Sequence, residues 1–113
     1  MLDPDAFPKL NGPVTFTLDT GVALHEESPD TFLLPPASKR GSLKHGDLAK
    51  LVFRITDGEK VCVERMWVIV QRAMSGGYIG TLDNDPYCTQ EIQAGLEVEF
   101  TPDHVIGIDH VAS

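Results

Sequence analysis

Four segments decide the fold of this chain: G-D-L-A-K-L-V-F at 46–53, E-R-M-W-V at 64–68, Y-I-G-T-L-D-N-D-P at 78–86 and G-L-E-V-E-F at 95–100. They follow one another like the strands and turns of one small β-rich domain. No nucleophile, metal or phosphate motif interrupts them. The stretch therefore predicts a fold more clearly than an activity.

The first of these segments opens a strand whose apolar side chains alternate with mostly polar ones: Ala49, Leu51, Phe53 and Ile55 against Lys50, Val52, Arg54 and Thr56. Asp57-Gly58 marks the turn that follows. A two-residue loop there would place Leu51 opposite Glu64. A three-residue loop over 56–58, with Gly58 left-handed, would place Phe53 opposite Val61, Leu51 opposite Val63 and Lys50 opposite Glu64. We expect the three-residue loop, because it pairs apolar with apolar and opposite charges with each other.

The next strand, Val61 to Gln71, is apolar on both faces after Arg65, which is typical of a central strand. Trp67 is expected to anchor the core. Ser75-Gly76-Gly77 reverses the chain into a strand over 78–82, in which we expect a neighbouring ring, of Trp67 or Tyr78, to cover Gly80.

A short helix is predicted after these strands. Asp85 is a suitable N-cap, Pro86 suits the first helical position and Gly95 suits the C-cap of a helix over Tyr87 to Ala94. Leu96 to Phe100 then alternates as a strand, Pro102-Asp103 turns the chain, and a last strand is expected over 104–108.

Residues 1–42 are predicted to be a loop-rich lead-in, with an irregular arm at the N-terminus, a short strand from Val14 to Leu18 and a helical turn near Ala23 to Glu27. Thr31 to Leu34 could pair only as a short edge. The whole chain is read as a single domain with a β-rich core over 46–109. The expected fold class is α+β, mainly β: a small antiparallel sheet curled toward a barrel, with one short helix near the C-terminal part.

Composition and net charge make some classes of binding partner and some compartments less favourable for this chain than others. The 113 residues are 42% hydrophobic and 23% charged, close to the average globular chain. Nine basic against seventeen acidic residues give a net charge of −8, which disfavours nucleic acid and anionic membranes as partners and favours a basic protein surface. The first ten residues lack the features of a signal peptide and no apolar run spans a bilayer, so a soluble cytoplasmic protein is expected. In that compartment Cys62 and Cys88 are expected to be free thiols.

Residues from Gly46 onward resemble the bacterial domain of unknown function family 2314. Glu64 to Val68 and the segment Gly80-x-Leu-x-Asn-x-Pro86 carry the specific likeness, and further matches are Gly46-Asp47, Lys50-Leu51, Phe53, Tyr78, Gly95, Val98, Phe100 and Ile106. Members of that family often have His where this chain has Arg65. The resemblance implies no activity. Some small bacterial domains of similar size are immunity proteins encoded beside toxins, which makes partner binding an analogy only.

The densest cluster of polar and aromatic side chains is the first choice for a binding site: Lys50, Glu64, Arg65 and Trp67, extended by Tyr78 and Asn84. An ordinary cross-strand ion pair between Lys50 and Glu64 beside a core tryptophan would also explain it. Two functions stay open. The first is a non-catalytic protein-binding module, for example an immunity or accessory factor. The second is a small-molecule sensor or enzyme whose pocket contains Glu64.

No cofactor or metal is expected. Asp83-Asn84-Asp85 begins like a calcium loop, but Cys88 and Ala94 stand where such a loop needs Gly and Glu. The four histidines lack the i, i+4 spacing of a zinc site. Cys88 near a helix start could be a nucleophile, but no base is identifiable along the chain. A second copy of the chain, pairing through an edge strand in the lead-in, also remains open as a partner.

Overall fold

Two long strands form the centre of the structure, a computed structural model that describes residues 14–110. They are β2 (Asp47–Asp57) and β3 (Lys60–Met74). The other elements are β1 (Thr15–Asp19), α1 (Gly21–Glu27), α2 (Ala37–Arg40), β4 (Gly77–Leu82), β5 (Glu97–Phe100), the 3-10 helix η1 (Pro102–His104) and β6 (Gly107–His110).

All strand pairs are antiparallel. The sheet order is β1-β2-β3-β4-β5, and β6 lies beside β1 along the same edge of β2. In the described part of the chain, β5 pairs only with β4 and β1 only with β2, so the curled sheet stays open. The predicted class, a mainly β fold built on a small curled antiparallel sheet, is confirmed. Within residues 14–110 no helix combines the length and the apolar character needed to cross a membrane.

The register of the β2–β3 hairpin differs from both predicted registers. Its loop consists of Gly58 and Glu59, with Asp57 opposite Lys60. Gly58 adopts a left-handed φ of +66°, which costs glycine little. Phe53 therefore lies opposite Glu64, and not opposite Val61 as predicted. The observed register is shifted by three residues from the one expected for the three-residue loop. Because side chains alternate between the two faces of a strand, a shift by an odd number of residues moves every β3 side chain to the other face.

The core lies on the inner face of the sheet. Leu51, Phe53 and Ile55 of β2 are fully buried there, and Phe16 of β1 packs against Phe53 with tilted rings whose centroids are 5.3 Å apart. Further members are Ala49, Met66, Val68, Val70, Tyr78, Leu82, Ile92, Val98, Phe100 and Val105. Trp67 is not among them. It lies half-buried on the outer face, so its prediction as the core anchor was wrong.

Gly80 is needed for a reason other than the predicted one. A Cβ atom at this position would lie 2.5 Å from Val68 Cγ1 and 2.6 Å from the Ile69 carbonyl oxygen. Val68 therefore fills the space over Gly80 that was predicted for the ring of Trp67 or Tyr78. Any larger residue would push β3 and β4 apart.

The helix lies in a different part of the chain from the one predicted. Among the described residues the one helix of seven residues is α1, where the Thr20 side chain accepts a hydrogen bond from Ala23 N at 3.1 Å. The segment 87–94 is irregular. Asp85 Oδ1 accepts from Ala94 N at 2.8 Å, so it closes a loop and does not cap a helix. Gly95 is left-handed, with φ +99°.

Smaller corrections concern the ends of the chain. The last strand begins at Gly107, after η1, and not at His104. Thr31 to Leu34 forms no strand. The strand predicted over 14–18 is β1, and the helical turn predicted near Ala23 belongs to α1. The irregular arm predicted for the first dozen residues lies outside the described residues.

Candidate functional site: the free end of β3 and the β4–β5 loop

The residues predicted as a binding cluster are distributed over both faces of the sheet. On the outer face Lys50 lies opposite Trp67, with its ammonium nitrogen 5.5 Å from the indole centroid. Arg65 lies on the same face, with its guanidinium 5.4 Å from the ring of Phe32. These three side chains are therefore close together, as expected. Cation–π contacts, and not an ion pair with Glu64, occupy the two cations.

The other three predicted residues have different surroundings. Glu64 is on the inner face opposite Phe53, so the expected ion pair with Lys50 is absent from the described residues. Asn84 Oδ1 accepts a hydrogen bond from Trp67 N at 2.7 Å. Tyr78 is buried at the far end of β4.

The Tyr78 hydroxyl group has a structural role. It donates to the Arg40 carbonyl oxygen at 2.8 Å and accepts from Leu43 N at 3.1 Å. These bonds fasten the chain after α2 onto the sheet. Since both partners are buried backbone groups, the hydroxyl satisfies hydrogen-bonding needs that no water can meet.

The β4–β5 loop, residues 83–96, is fastened to β3 by a covalent bond. Cys62 of β3 and Cys88 of the loop form a disulfide, with Cα atoms 6.6 Å apart, so the expectation of free thiols was wrong. A partner 26 residues away in sequence is not visible from spacing alone. The difference in register explains why the two cysteines meet, because it turns Cys62 toward the inner face, where the loop lies.

Glu64 holds the same loop through its carboxylate. Oε1 accepts from Tyr87 N at 3.0 Å and Oε2 accepts from Cys88 N at 2.9 Å. Hydrogen bonds to an ionised acceptor are about twice as strong as neutral ones. Both oxygens of Glu64 thus accept hydrogen bonds from main-chain amides, so the carboxylate is a fastening point for the loop.

Further contacts fix the two ends of the loop. Trp67 O accepts from Asp83 N at 2.9 Å, and Leu82 N donates to Leu96 O at 2.8 Å. Ile92 packs into the core with 6% of its surface exposed. A loop without regular structure is therefore held in one place at both ends and in the middle.

This fixed loop and the end of β3 expose three apolar side chains, which we call the β3–loop surface. Tyr87 is 100% exposed, Val61 56% and Val63 48%. The Tyr87 amide is bonded to Glu64 on the inner face, whereas Val61 and Val63 point to the outer face, so the three side chains lie on the two sides of one edge of β3. Pairing of β3 with β4 begins only at Val68, so the edge of β3 near the two valines carries no strand among the described residues.

A second feature lies at the opposite end of β2. A cleft of about 490 Å³ is lined by Lys39, Ser42, Leu43, Lys44, Asp47, Ile108 and His110. His110 Nδ1 lies 2.9 Å from Asp47 Oδ1, and Lys44 N donates to Asp47 Oδ2 at 2.8 Å. Burial alone would raise the pKa of Asp47, but these two partners outweigh it and lower the pKa.

Sequence reasoning missed Val61, Val63, Tyr87 and the cysteine pair as functional candidates. The two valines were assigned to the core by the wrong register, and Tyr87 was placed in a helix. The sequence predicts that one face of β3 carries Val61, Val63, Arg65 and Trp67, because these residues alternate. Nothing in the sequence indicates whether that face or the opposite one is exposed to solvent.

Comparison of the chain with protein-family models, with curated proteins and with solved structures found no match.

Proposed function

We propose that this protein is a non-catalytic binding module whose β3–loop surface docks a basic surface of another protein. The observation that carries the proposal is the exposure of Val61 and Val63 on the outer face and of Tyr87 on the loop that covers the inner face, on the two sides of the free edge of β3. Single exposed apolar residues are common on any protein, but three of them on the two sides of an unpaired strand edge suit a partner that pairs with that edge and contacts both sides of it.

The loop supports this assignment because it is already ordered. A disulfide, the Glu64 carboxylate and the Asn84 amide hold the segment that presents Tyr87. A tyrosine presented this way offers a large amphipathic contact while losing little conformational entropy on binding. Tyrosine is also among the residues most enriched at binding hot spots.

The net charge of the chain favours a basic partner. Glu59, Asp85 and Glu91 are exposed near Val61 and along the loop. The nearby Arg54 is matched by a bidentate pair with Asp19, at 3.1 and 2.8 Å. Lys60 and Arg65 are exposed beside the valines as well, so the steering of a positively charged protein rests on the net charge of −8 of the whole chain.

The test is recovery of a partner from the native cell lysate with tagged protein and three variants. Val63→Glu and Tyr87→Ala alter the β3–loop surface, and Met74→Glu alters an exposed residue at the other end of the same strand as the matched control. We expect one stoichiometric, basic protein with the wild type and with Met74→Glu. Loss of a hot spot worth ~2 kcal/mol weakens binding about 30-fold, so both surface variants should fail to retain it.

Unchanged thermal unfolding of the variants would show that the loss is not due to misfolding. Equal recovery by all four proteins would remove the β3–loop surface as the site. A partner of acidic net charge would contradict the electrostatic part of the proposal.

For the alternative function, a small-molecule sensor or enzyme, the cleft near Asp47 gives better support than the expected pocket at Glu64. Its volume falls within the usual range of ligand sites, and Lys39 and Lys44 bring positive charge to it. A metabolite screen by thermal shift, with Lys44→Glu as control, would favour this function if a small anion stabilises only the wild type.

A further inference from the structure

We propose that the Cys62, Glu64 and Cys88 side chains form a zinc-type metal site when the disulfide is reduced. Within residues 14–110, their ligand atoms make the one group of three potential metal ligands that lie within 4.8 Å of one another. Two thiolates and a carboxylate suit a borderline-soft divalent ion such as Zn²⁺. This inference is independent of the proposed binding function.

The backbone already has the spacing that the site needs. Cys62 and Glu64 are two residues apart on one strand, so their side chains project from the same face of β3. Cys88 faces them from the β4–β5 loop, with its Cα 6.6 Å from that of Cys62. Zn–S bonds of 2.3 Å place two sulfurs only about 3.8 Å apart, which side-chain rotation can provide without displacing the loop.

The hydrogen bonds to Glu64 support ligation and do not compete with it. Each carboxylate oxygen has two lone pairs, and the amides of Tyr87 and Cys88 use one on each oxygen. One free lone pair can therefore bind the ion while the amides keep the carboxylate in position. Ligating carboxylates are usually oriented by hydrogen bonds of this kind.

Charge and access also fit. Two thiolates and one carboxylate carry three negative charges, which Zn²⁺ and the nearby Lys60 would offset. The Lys60 ammonium nitrogen lies 3.5 Å from the Cys88 carbonyl oxygen. All three ligand side chains are half-buried, so water can take the fourth position of a tetrahedral site.

The chemical step is thiol–disulfide exchange followed by metal binding. A dithiol reductant attacks the Cys62–Cys88 bond, is oxidised to its own disulfide, and leaves two thiols on the protein. Zn²⁺ then binds both sulfurs and releases their two protons to solvent. In a reducing compartment the thiol form prevails, and there the ion would replace the covalent link between the loop and β3.

The test uses the full chain, reduced with a dithiol, freed of reductant without oxygen, and titrated with Co²⁺ as the spectroscopic probe for zinc. We expect one Co²⁺ per chain, with visible bands of a tetrahedral ion and near-ultraviolet thiolate-to-cobalt bands. Zn²⁺ should displace it. The oxidised chain should show none of these bands.

Two variants examine the carboxylate. Glu64→Gln should weaken Co²⁺ binding at least tenfold and shift the visible bands, whereas Glu91→Gln, the same change at an exposed position of the same loop, should do neither. A band shift separates a ligand from a residue that only supports the fold.

A second measurement needs no variant. Zn²⁺ should slow alkylation of both thiols in the reduced wild type, as read by peptide mass spectrometry. Alkylation at the same rate with and without Zn²⁺, or Co²⁺ binding without thiolate bands, would overturn the proposal.

Discussion

Reduction of the Cys62–Cys88 disulfide should lower the free energy of unfolding by several kcal/mol. The bond joins positions 26 residues apart and so restricts the unfolded chain. The loop-closure relation for that separation gives about 12 cal/mol/K, or ~3.5 kcal/mol at 25 °C. For a chain of 113 residues, with an unfolding entropy of roughly 2.1 cal/mol/K per residue, this corresponds to a fall in Tm of about 15 °C.

The assay is urea unfolding of the oxidised and the reduced chain, followed by far-ultraviolet circular dichroism and by fluorescence of Trp67, the one tryptophan. Both samples contain a metal chelator, so that no bound ion replaces the covalent link. The slope of the unfolding free energy against urea must be fitted for each form, because a cross-linked unfolded chain exposes less surface. Midpoints alone would hide part of the difference.

The control is the double variant Cys62→Ala, Cys88→Ala. Its free energy of unfolding should equal that of the reduced wild type and should not change when reductant is added. Unfolding free energies that agree within about 0.5 kcal/mol between oxidised and reduced wild type would refute the reasoning. So would two reactive thiols in the air-equilibrated native protein, since they would show that the bond does not form.

Three further outcomes follow from the described contacts. Tyr78→Phe should destabilise the protein by about 1–3 kcal/mol in urea unfolding, since two buried backbone groups lose their partner, whereas Tyr87→Phe, at a fully exposed position, should change nothing measurable. Burial lowers the pKa of His104 and outweighs the opposing charge of Asp103, so its NMR titration should fall below the ordinary 6.5. The unfolded state therefore binds the proton of His104 more tightly than the folded state does. The stability that the neutral His104 side chain contributes is full above pH 6.5 and is lost as the pH falls through the folded-state pKa. His104→Gln should remove this pH dependence of the unfolding free energy. Trp67→Ala should cost less than Phe53→Ala, for which ~3–5 kcal/mol is expected from a fully buried ring, and equal losses would contradict the outer-face position of the indole.

The sequence predicted the strands well because each depends on local alternation. The pattern from Ala49 to Ile55 identified the buried face of β2, and Leu96 to Phe100 identified β5. The helix over 87–94 failed because its signals, Asp85, Pro86 and Gly95, also suit a loop closed by a side chain. Long-range contacts decided between them. Those contacts come from Glu64, more than twenty residues away, and are invisible to local rules.

Most of the candidate site was lost to one error in the hairpin. Placing Phe53 opposite Val61 turned Trp67 inward, set Glu64 beside Lys50 and left Cys62 facing solvent. The observed register reverses all three positions. Pairing apolar with apolar side chains was a reasonable criterion. It did not account for the β4–β5 loop, which covers the inner face beyond Met66 and supplies partners for Cys62 and Glu64.

The energies show why that loop prevails. With Val61 and Val63 about half exposed, the observed register leaves roughly 2 kcal/mol of apolar burial unrealised. The same register allows the Cys62–Cys88 disulfide, which stabilises the fold by ~3.5 kcal/mol. It also gives Glu64 two charge-assisted hydrogen bonds of about 1.5–3 kcal/mol each, before the cost of partly burying the carboxylate. The exposed valines of the proposed docking surface and the sulfur–carboxylate group of the proposed metal site are thus two results of the same register. A variant that restored the predicted pairing would lose both at once.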